Sequence, residues 1–181
     1  MDSDRLRLRR YTAADLPHLV ALDNDPTVMR FINGGVPVSS EAYQRNLLPN
    51  FTSADPDPFG FWVCETLARA WVGWFSLRPA EDGAAEIGYR LAQSAWGQGY
   101  ATEGCRMLIQ SAFQAGCAAV IAKTYEHNAA SRRVLQKLAF REAQRFRWTP
   151  EMASDTAVSD GSVWDGDDLV YELKEGDWQG C

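Results

Sequence analysis

Residues 84–116, AAEIGYRLAQSAWGQGYATEGCRMLIQSAFQAG, carry the reading that decides the fold. The stretch opens as a strand, with Ile87, Tyr89 and Leu91 on one face and Glu86, Gly88 and Arg90 on the other. It closes as an amphipathic helix that puts Ala101, Cys105, Leu108, Ile109, Ala112 and Phe113 on one stripe, with Gly116 as its stop. Between them lies the turn Trp96-Gly97-Gln98-Gly99-Tyr100-Ala101-Thr102. The free N–H groups of a helix start and the positive end of its dipole converge there, which predicts a seat for a phosphate or pyrophosphate. Gly-x-Gly also marks ordinary turns, so the reading depends on what the rest of the chain brings near it.

Downstream, residues 118–125 (AAVIAKTY) read as a short, mostly apolar strand buried on both faces. Strand 84–91, helix 102–115 and strand 118–125 then form one strand–helix–strand unit with parallel pairing. Asn128 caps a further helix whose buried stripe is Val134, Leu135 and Leu138. Strands over 140–148 and 169–173 follow, separated by a polar segment, 152–166, that reads as a long loop or a loosely paired extension. The tail keeps one large aromatic, Trp178.

Upstream, Leu6-Arg7-Leu8-Arg9 alternates as a half-buried strand. Thr12 and Asp15 begin a helix that buries Leu16, Leu19, Val20 and Leu22, and Asn24-Asp25-Pro26 breaks it. Residues 28–32 are short and apolar, and Gly34-Gly35 opens a loop. Ser39 or Ser40 caps a second helix that Pro49 ends. After turn material at 52–58, the aromatic runs 59–66 and 71–77 read as an antiparallel hairpin. Its turn lacks the usual Gly or Asn, which leaves the register open, and Gly73 marks a bulge. The order β-α-α-β-β-β-α-β-α-β-β suggests one mixed sheet in a single domain over 1–181.

Composition excludes several classes. A length of 181 residues, 46% hydrophobic and 23% charged, suits one globular domain. A formal net charge of -6 and the lack of a Lys/Arg run argue against nucleic acid as a partner. Mild acidity suits a cationic substrate, though it also simply favours solubility. The four cysteines and two histidines stand at no metal-ligand spacing, so reduced thiols in a cytoplasmic protein without metal are the simpler reading. The acidic N-terminus is unlike a signal peptide, and no apolar run is long enough to span a bilayer.

Four separated segments, in order, resemble the GNAT family of N-acetyltransferases. They are Glu86-Ile87-Gly88-Tyr89, the turn from Trp96 to Glu103, the run from Asn128 through Ser131, Val134-Leu135 and Lys137-Leu138 to Phe140, and the opening with Leu6-Arg7-Leu8-Arg9 and Asn24-Asp25-Pro26-Thr27-Val28-Met29. Leu169-Val170-Tyr171 also matches. The chain is most similar to the branch that acetylates N-termini of ribosomal proteins. The resemblance implies a mixed, mostly antiparallel sheet of six to seven strands, flanked by about four helices, whose central parallel strands splay apart around acetyl-CoA. It implies that the pantetheine arm pairs with strand 84–91, which includes Tyr89 and Leu91. The pyrophosphate would sit on the turn Gln98, Gly99, Tyr100, Ala101 and Thr102, with Trp96 and Gly97 also counted as cofactor-binding. Two positions depart from the family pattern. Trp96 stands where Gln or Arg is common, and Ala139 replaces the glycine that follows the helix, at a cost of about 1 kcal/mol if its φ is positive.

Acetyl transfer to an amine needs a neutral nucleophile, a donor for the developing oxyanion and a leaving thiolate. Glu86 is the candidate base, directly or through a water, with a strand-edge ion pair as the equal alternative. The family implies a backbone N–H near Leu91 as the oxyanion donor. It also implies that Asn128 bonds the pantetheine arm besides capping its helix, and that Ser131 supplies a hydroxyl near the CoA sulfur. A first-turn helix hydroxyl is the plain alternative for Ser131. Of Arg132, Arg133 and Lys137, at most one meets the CoA phosphates, and Arg133 is the one assigned. Trp62, Trp71, Trp74 and Phe75 are mostly core, with one or two left for the acceptor pocket, whose remaining walls fall to loops 34–58 and 152–166. The expectation is a direct acetyl transfer in a ternary complex to a protein N-terminus or a small amine, by a monomer or homodimer. A CoA-binding module without turnover is the alternative. A nucleotide-binding α/β domain is disfavoured, because no Gly-x-Gly-x-x-Gly follows an early strand.

Overall fold

The computed structural model describes residues 1–147 and 166–180. Its strands are β1 (Leu6–Arg9), β2 (Gly60–Thr66), β3 (Trp71–Pro79), β4 (Ala85–Leu91), β5 (Ala119–Tyr125), β6 (Arg141–Phe146) and β7 (Asp168–Lys174). They form a seven-stranded sheet in the order β1-β2-β3-β4-β5-β7-β6. Every neighbouring pair is antiparallel except β4 and β5, as the strand–helix–strand reading of 84–125 requires. The segment 148–165, and with it most of the expected 152–166 loop, lies outside the described residues.

The long helix α5 (Tyr100–Gln114) packs on one face, where Cys105, Leu108, Ile109 and Ala112 meet Phe75, Leu77, Ile87 and Leu91. Helix α6 (Ala129–Lys137) adds Leu135 to the same core. The opposite face carries a smaller core of Leu19, Tyr43 and Phe51 against Phe61, Trp71 and Trp74. Leu19 belongs to α1 (Leu16–Asp23), which Thr12 and Asp15 precede with a short capping turn, Asp15 Oδ2 accepting from the Thr12 N–H and hydroxyl at 2.8 Å each.

Three local expectations change. Asp25-Pro26 does more than break α1, because it starts α2 (Pro26–Asn33). Asp25 is the N-cap, its Oδ1 accepting from the N–H of Thr27 at 2.9 Å and of Val28 at 3.3 Å, and Pro26 fills the first helical position, where no N–H is needed. Pro49 likewise does not end a helix. Helical residues run from α3 (Ser40–Ala42) through a wide turn, Tyr43–Leu47, into α4 (Leu48–Thr52), with Pro49 in the first turn of α4. Ser39, a candidate cap, accepts from the Ala42 N–H at 3.2 Å. The hairpin from β2 to β3 turns on Arg69, which takes the left-handed place that lacked a glycine (φ 67°) and pairs with Glu65 at 2.8 Å. Cys64 pairs with Gly73 and Glu65 with Trp71, so Val72 is the extra residue of a bulge next to Gly73.

Ala139 is left-handed, with φ 64°. Phe140 N–H bonds the Leu135 carbonyl at 3.0 Å and Ala139 N–H the Gln136 carbonyl at 3.1 Å, a Schellman ending for α6. Ala139→Gly should therefore raise stability by about 1 kcal/mol, read from the denaturant midpoint. The opposite result is expected at Gly104, inside α5. A Cβ there would stand 2.3 Å from Cζ of Phe75, so Gly104→Ala should cost about 1–3 kcal/mol in the same measurement. Helix propensity alone predicts a gain.

Candidate active site

Strands β4 and β5 pair at only two positions, Ala85 with Val120 and Glu86 with Ile121. Beyond them each strand continues with one edge open. β4 stays in register with β3 as far as Leu91, and β5 with β7 as far as Tyr125. The gap opens toward the ends from which the chain leaves for α5 and α6. It leads into a cleft of about 430 Å³ lined by residues of α2, the end of β4, the turn, α5 and α6.

The turn behaves as its glycines predict. Gly97 and Gly99 have φ of 74° and 82°, and Gly99 caps α5 without any side-chain bond. A Cβ at Gly97 would meet nothing within 4 Å, so it is the left-handed backbone that calls for glycine there. The first N–H groups of α5, at Tyr100, Ala101 and Thr102, have no acceptor within the helix and stand at the cleft. Trp96 is 47% exposed, lines the cleft, and donates its indole N–H to the Leu91 carbonyl at 2.8 Å. Gln98 does not line the cleft: its amide turns back to the Ser94 carbonyl, and its own carbonyl accepts from Arg5 at 3.0 Å.

That contact shows a positioning residue that the sequence did not reveal. Arg5 holds the turn through Gln98, stacks over Tyr100 and bonds Glu103 in the first turn of α5 at 2.8 Å. Ser3 completes the set by donating to Glu103 at 2.8 Å. Partial burial works against ionising Glu103, but the bonds from Ser3 and Arg5 outweigh it and hold the carboxyl below its ordinary 4.5. Arg5 and Glu103 are nearly a hundred positions apart, and in the sequence Arg5 is only one more outward-facing cation.

At the other wall, Asn128 caps α6 by accepting the Ser131 N–H at 3.1 Å. The Ser131 hydroxyl lies 3.0 Å from the Tyr89 hydroxyl, and all three residues line the cleft together with Arg133 and Lys137. Burial pushes the Tyr89 phenol well above its ordinary value, so it stays protonated at neutral pH. Arg132 turns away, bonding the Tyr171 hydroxyl at 3.2 Å and the Glu126 carbonyl at 3.1 Å.

Glu86 is placed differently from its expected role as base. It sits where β4 and β5 are still paired, outside the cleft lining, with Arg78 on one carboxylate oxygen and Lys123 on the other at 2.9 Å. The ion-pair alternative describes this geometry. Nor do Trp62, Trp71, Trp74 and Phe75, or described residues of loop 34–58, line the cleft. A further wall of the cleft is α2, through Thr27, Val28, Arg30, Phe31 and Ile32, with Arg90 beside it on the opposite face of β4 from Tyr89. Gln93 ties this wall to the turn, donating to both oxygens of Asp25 at 3.0 and 2.8 Å. The signal for α2 was present as Asp-Pro, the N-cap and first position of a helix. Among the described residues no cluster of His, Cys, Asp and Glu is placed to hold a metal ion, and Cys64, Cys105 and Cys117 are buried free thiols. No described helix is long and apolar enough to cross a membrane.

A family model described as an acetyltransferase (GNAT) domain matches residues 5–141. The chain is 35% identical over 137 residues to the FsC-acetyl coenzyme A-N(2)-transacetylase of Aspergillus fumigatus, a match that covers 69% of this chain and 57% of that protein. It thus spans little more than half the length of that relative. It is 28% identical over 145 residues to the uncharacterized N-acetyltransferase p20 of Bacillus licheniformis, covering 77% and 81% of the two chains. The fold matches a GNAT-family acetyltransferase from Bacillus anthracis with a TM-score of 0.78, at 20% identity over 97% of this chain and 98% of that one. The chain belongs to the GNAT family of acetyltransferases.

The latch on the turn is testable through pH. A carboxyl held below its unfolded value stabilises the fold above that value and loses its effect as pH falls through the folded value. Glu103→Gln should therefore cost about 1 kcal/mol or less at pH 7, Arg5 being half exposed, and less at an acidic pH well below the carboxyl's ordinary 4.5. Chemical denaturation at the two pH values reads this, and Arg5→Ala should reproduce the neutral-pH loss.

Proposed function

We propose that the chain transfers an acetyl group from acetyl-CoA directly to a primary amine, on a protein N-terminus or a small molecule, within the cytoplasm. The observation that carries this reading is the parting of β4 and β5 beside the helix-start turn. It leaves backbone hydrogen-bonding groups on the edge of β4 next to an anion seat, with two hydroxyls across the gap. The residues fit acetyl-CoA by charge as well, since Arg133 and Lys137 stand at this cleft for its phosphates. Asn128 and the β4 edge through Tyr89 and Leu91 would hold the pantetheine arm, and the first N–H groups of α5 the pyrophosphate. Bound acetyl-CoA supplies an acyl group on a thioester, whose carbon–sulfur bond breaks as the carbon–nitrogen bond forms.

Ser131 is the residue that relays a proton to the departing sulfur, its hydroxyl taking up in the same step the proton that the attacking nitrogen sheds, and the Tyr89 hydroxyl holds it in place. A thiol of pKa ~8.5 leaves readily, so this help is modest in size. Glu86 serves as an ion-pair partner for Arg78 and Lys123. With no carboxylate among the described lining residues, the amine loses its proton to solvent or buffer before attack. An α-amine near ~8 does this far more readily at pH 7 than a lysine amine near ~10.4. That difference favours an N-terminal or similarly acidic amine, in keeping with the branch that the sequence resembles.

Release of the CoA thiol, followed with a thiol reagent across peptides and small amines, tests the reading. Acceptor-dependent release is expected, with Ser131→Ala lowering kcat about tenfold to a hundredfold and Glu86→Gln changing it less than about threefold. The pH profile of kcat/KM should rise to the acceptor amine's own pKa and move when that amine is changed. Tight acetyl-CoA binding with no acceptor-dependent release would instead favour the CoA-binding module.

A further inference from the structure

The cleft carries the opposite charge to the chain around it. The chain has a formal net charge of -6, yet the described residues lining the cleft include four cations, Arg30, Arg90, Arg133 and Lys137, and no Asp or Glu. Arg133 and Lys137 stand on α6 at the CoA side. Arg30 and Arg90 belong to the wall at α2, and nothing in the reading above uses them.

These two arginines differ in what they offer. Arg90 is ion-paired with buried Asp23 and lies over the Trp74 ring, so its charge is balanced where it stands. Its Nε is buried without an acceptor among the described residues. The hydroxyl of Tyr43, a fully buried residue in the field of the same ion pair, also lacks a partner there. Arg30 is exposed on α2 with its guanidinium over the Phe31 ring, and it has no carboxylate partner among the described residues. This wall therefore presents one unbalanced positive charge, at Arg30, and no carboxylate among its described residues. Such a surface repels a polyamine and attracts an oxyanion. The same field disfavours the ammonium form of a bound amine, which assists a site with no carboxylate base.

We propose that the acceptor is an amine whose skeleton also carries a carboxylate, and that Arg30 is the residue that selects it. The inference rests on the acetyl-transfer reading above. Arg30 engages the carboxylate with two N–H groups of its guanidinium. Two sources share this chemistry, a free amino acid and a peptide whose N-terminal amine stands next to an acidic side chain.

Matched acceptors that differ only in that charge make the test, with CoA release by the full chain as the readout. The pairs are 4-aminobutyrate against 4-aminobutyramide, 6-aminohexanoate against 6-aminohexanamide, and N-terminal Ser-Asp against Ser-Asn peptides, with putrescine as the dication. The carboxylated member should be preferred by about tenfold in kcat/KM, chiefly through KM, and the preference should shrink as salt rises. Whether the preference within a pair is larger for the amino acids or for the Asp peptide identifies the source. Arg30→Ala should bring the two KM values of a pair together, Arg30→Lys should restore part of the difference, and Arg30→Glu should turn the preference toward putrescine. Equal use of both members by the unaltered chain would overturn the inference. So would an Arg30→Ala effect that falls on the KM of acetyl-CoA and on both members alike, because it would put Arg30 on the CoA side. Release with neutral or cationic acceptors only sinks this inference and leaves acetyl transfer standing, whereas release with no acceptor sinks acetyl transfer itself.

Discussion

The structure depends on one failure of pairing, the parting of β4 from β5 after two residue pairs. Buried backbone N–H and C=O groups need partners, so two neighbouring strands separate only where something else can meet those groups. Each strand is fully committed on its outer edge, β4 to β3 and β5 to β7, and the gap is held open from both sides. Because the two strands run parallel, their C-terminal ends lie at the same edge of the sheet. The chain leaves both ends into helices, so the starts of α5 and α6 arrive at one mouth. The anion seat, the Asn128 cap and the Ser131 hydroxyl are neighbours for that topological reason.

Ion pairs then decide where charge remains available. Glu103 is held by Arg5, Asp23 by Arg90, Asp15 by Arg9, Glu65 by Arg9 and Arg69, and Glu86 by Arg78 and Lys123. These carboxylates serve the architecture: they latch β1 to the turn, brace the hairpin and tie α1 to β4. None of them lines the cleft. The acidity of the chain and the cationic lining of the cleft are thus separate facts, and net charge is a poor guide to the substrate. The mild acidity that suggested a cationic acceptor is a property of the outer surface.

Local patterns carried much of the fold into view. Alternation in 86–91, the glycines before α5 and the apolar run of β5 are short-range signals, and each produced the element expected. Where a residue type has two local uses, the sequence was ambiguous. Asp25-Pro26 both ends one helix and begins the next, Pro49 suits a first turn as well as a stop, and Arg69 can adopt the left-handed place usually given to Gly or Asn. The candidate site divided in the same way. Backbone features such as the turn, the Gly99 start and the Asn128 cap were legible because they depend on neighbours in the chain. The partners of Glu86 and the contact of Arg5 with Gln98 were not, because strand register and sheet order set them.

The sequence by itself determined the order of the strands, the parallel unit that makes the cleft and the turn that opens α5. Those follow from periodicity, caps and turn residues, which act over a few positions. Only the tertiary structure decided which side chains meet across the gap. It brought Tyr89 to Ser131 and locked Glu86 away between Arg78 and Lys123. It also stood α2 with Arg30 at the mouth in place of the loop expected there. Contacts between residues distant in the chain depend on packing and register, and no local pattern encodes them.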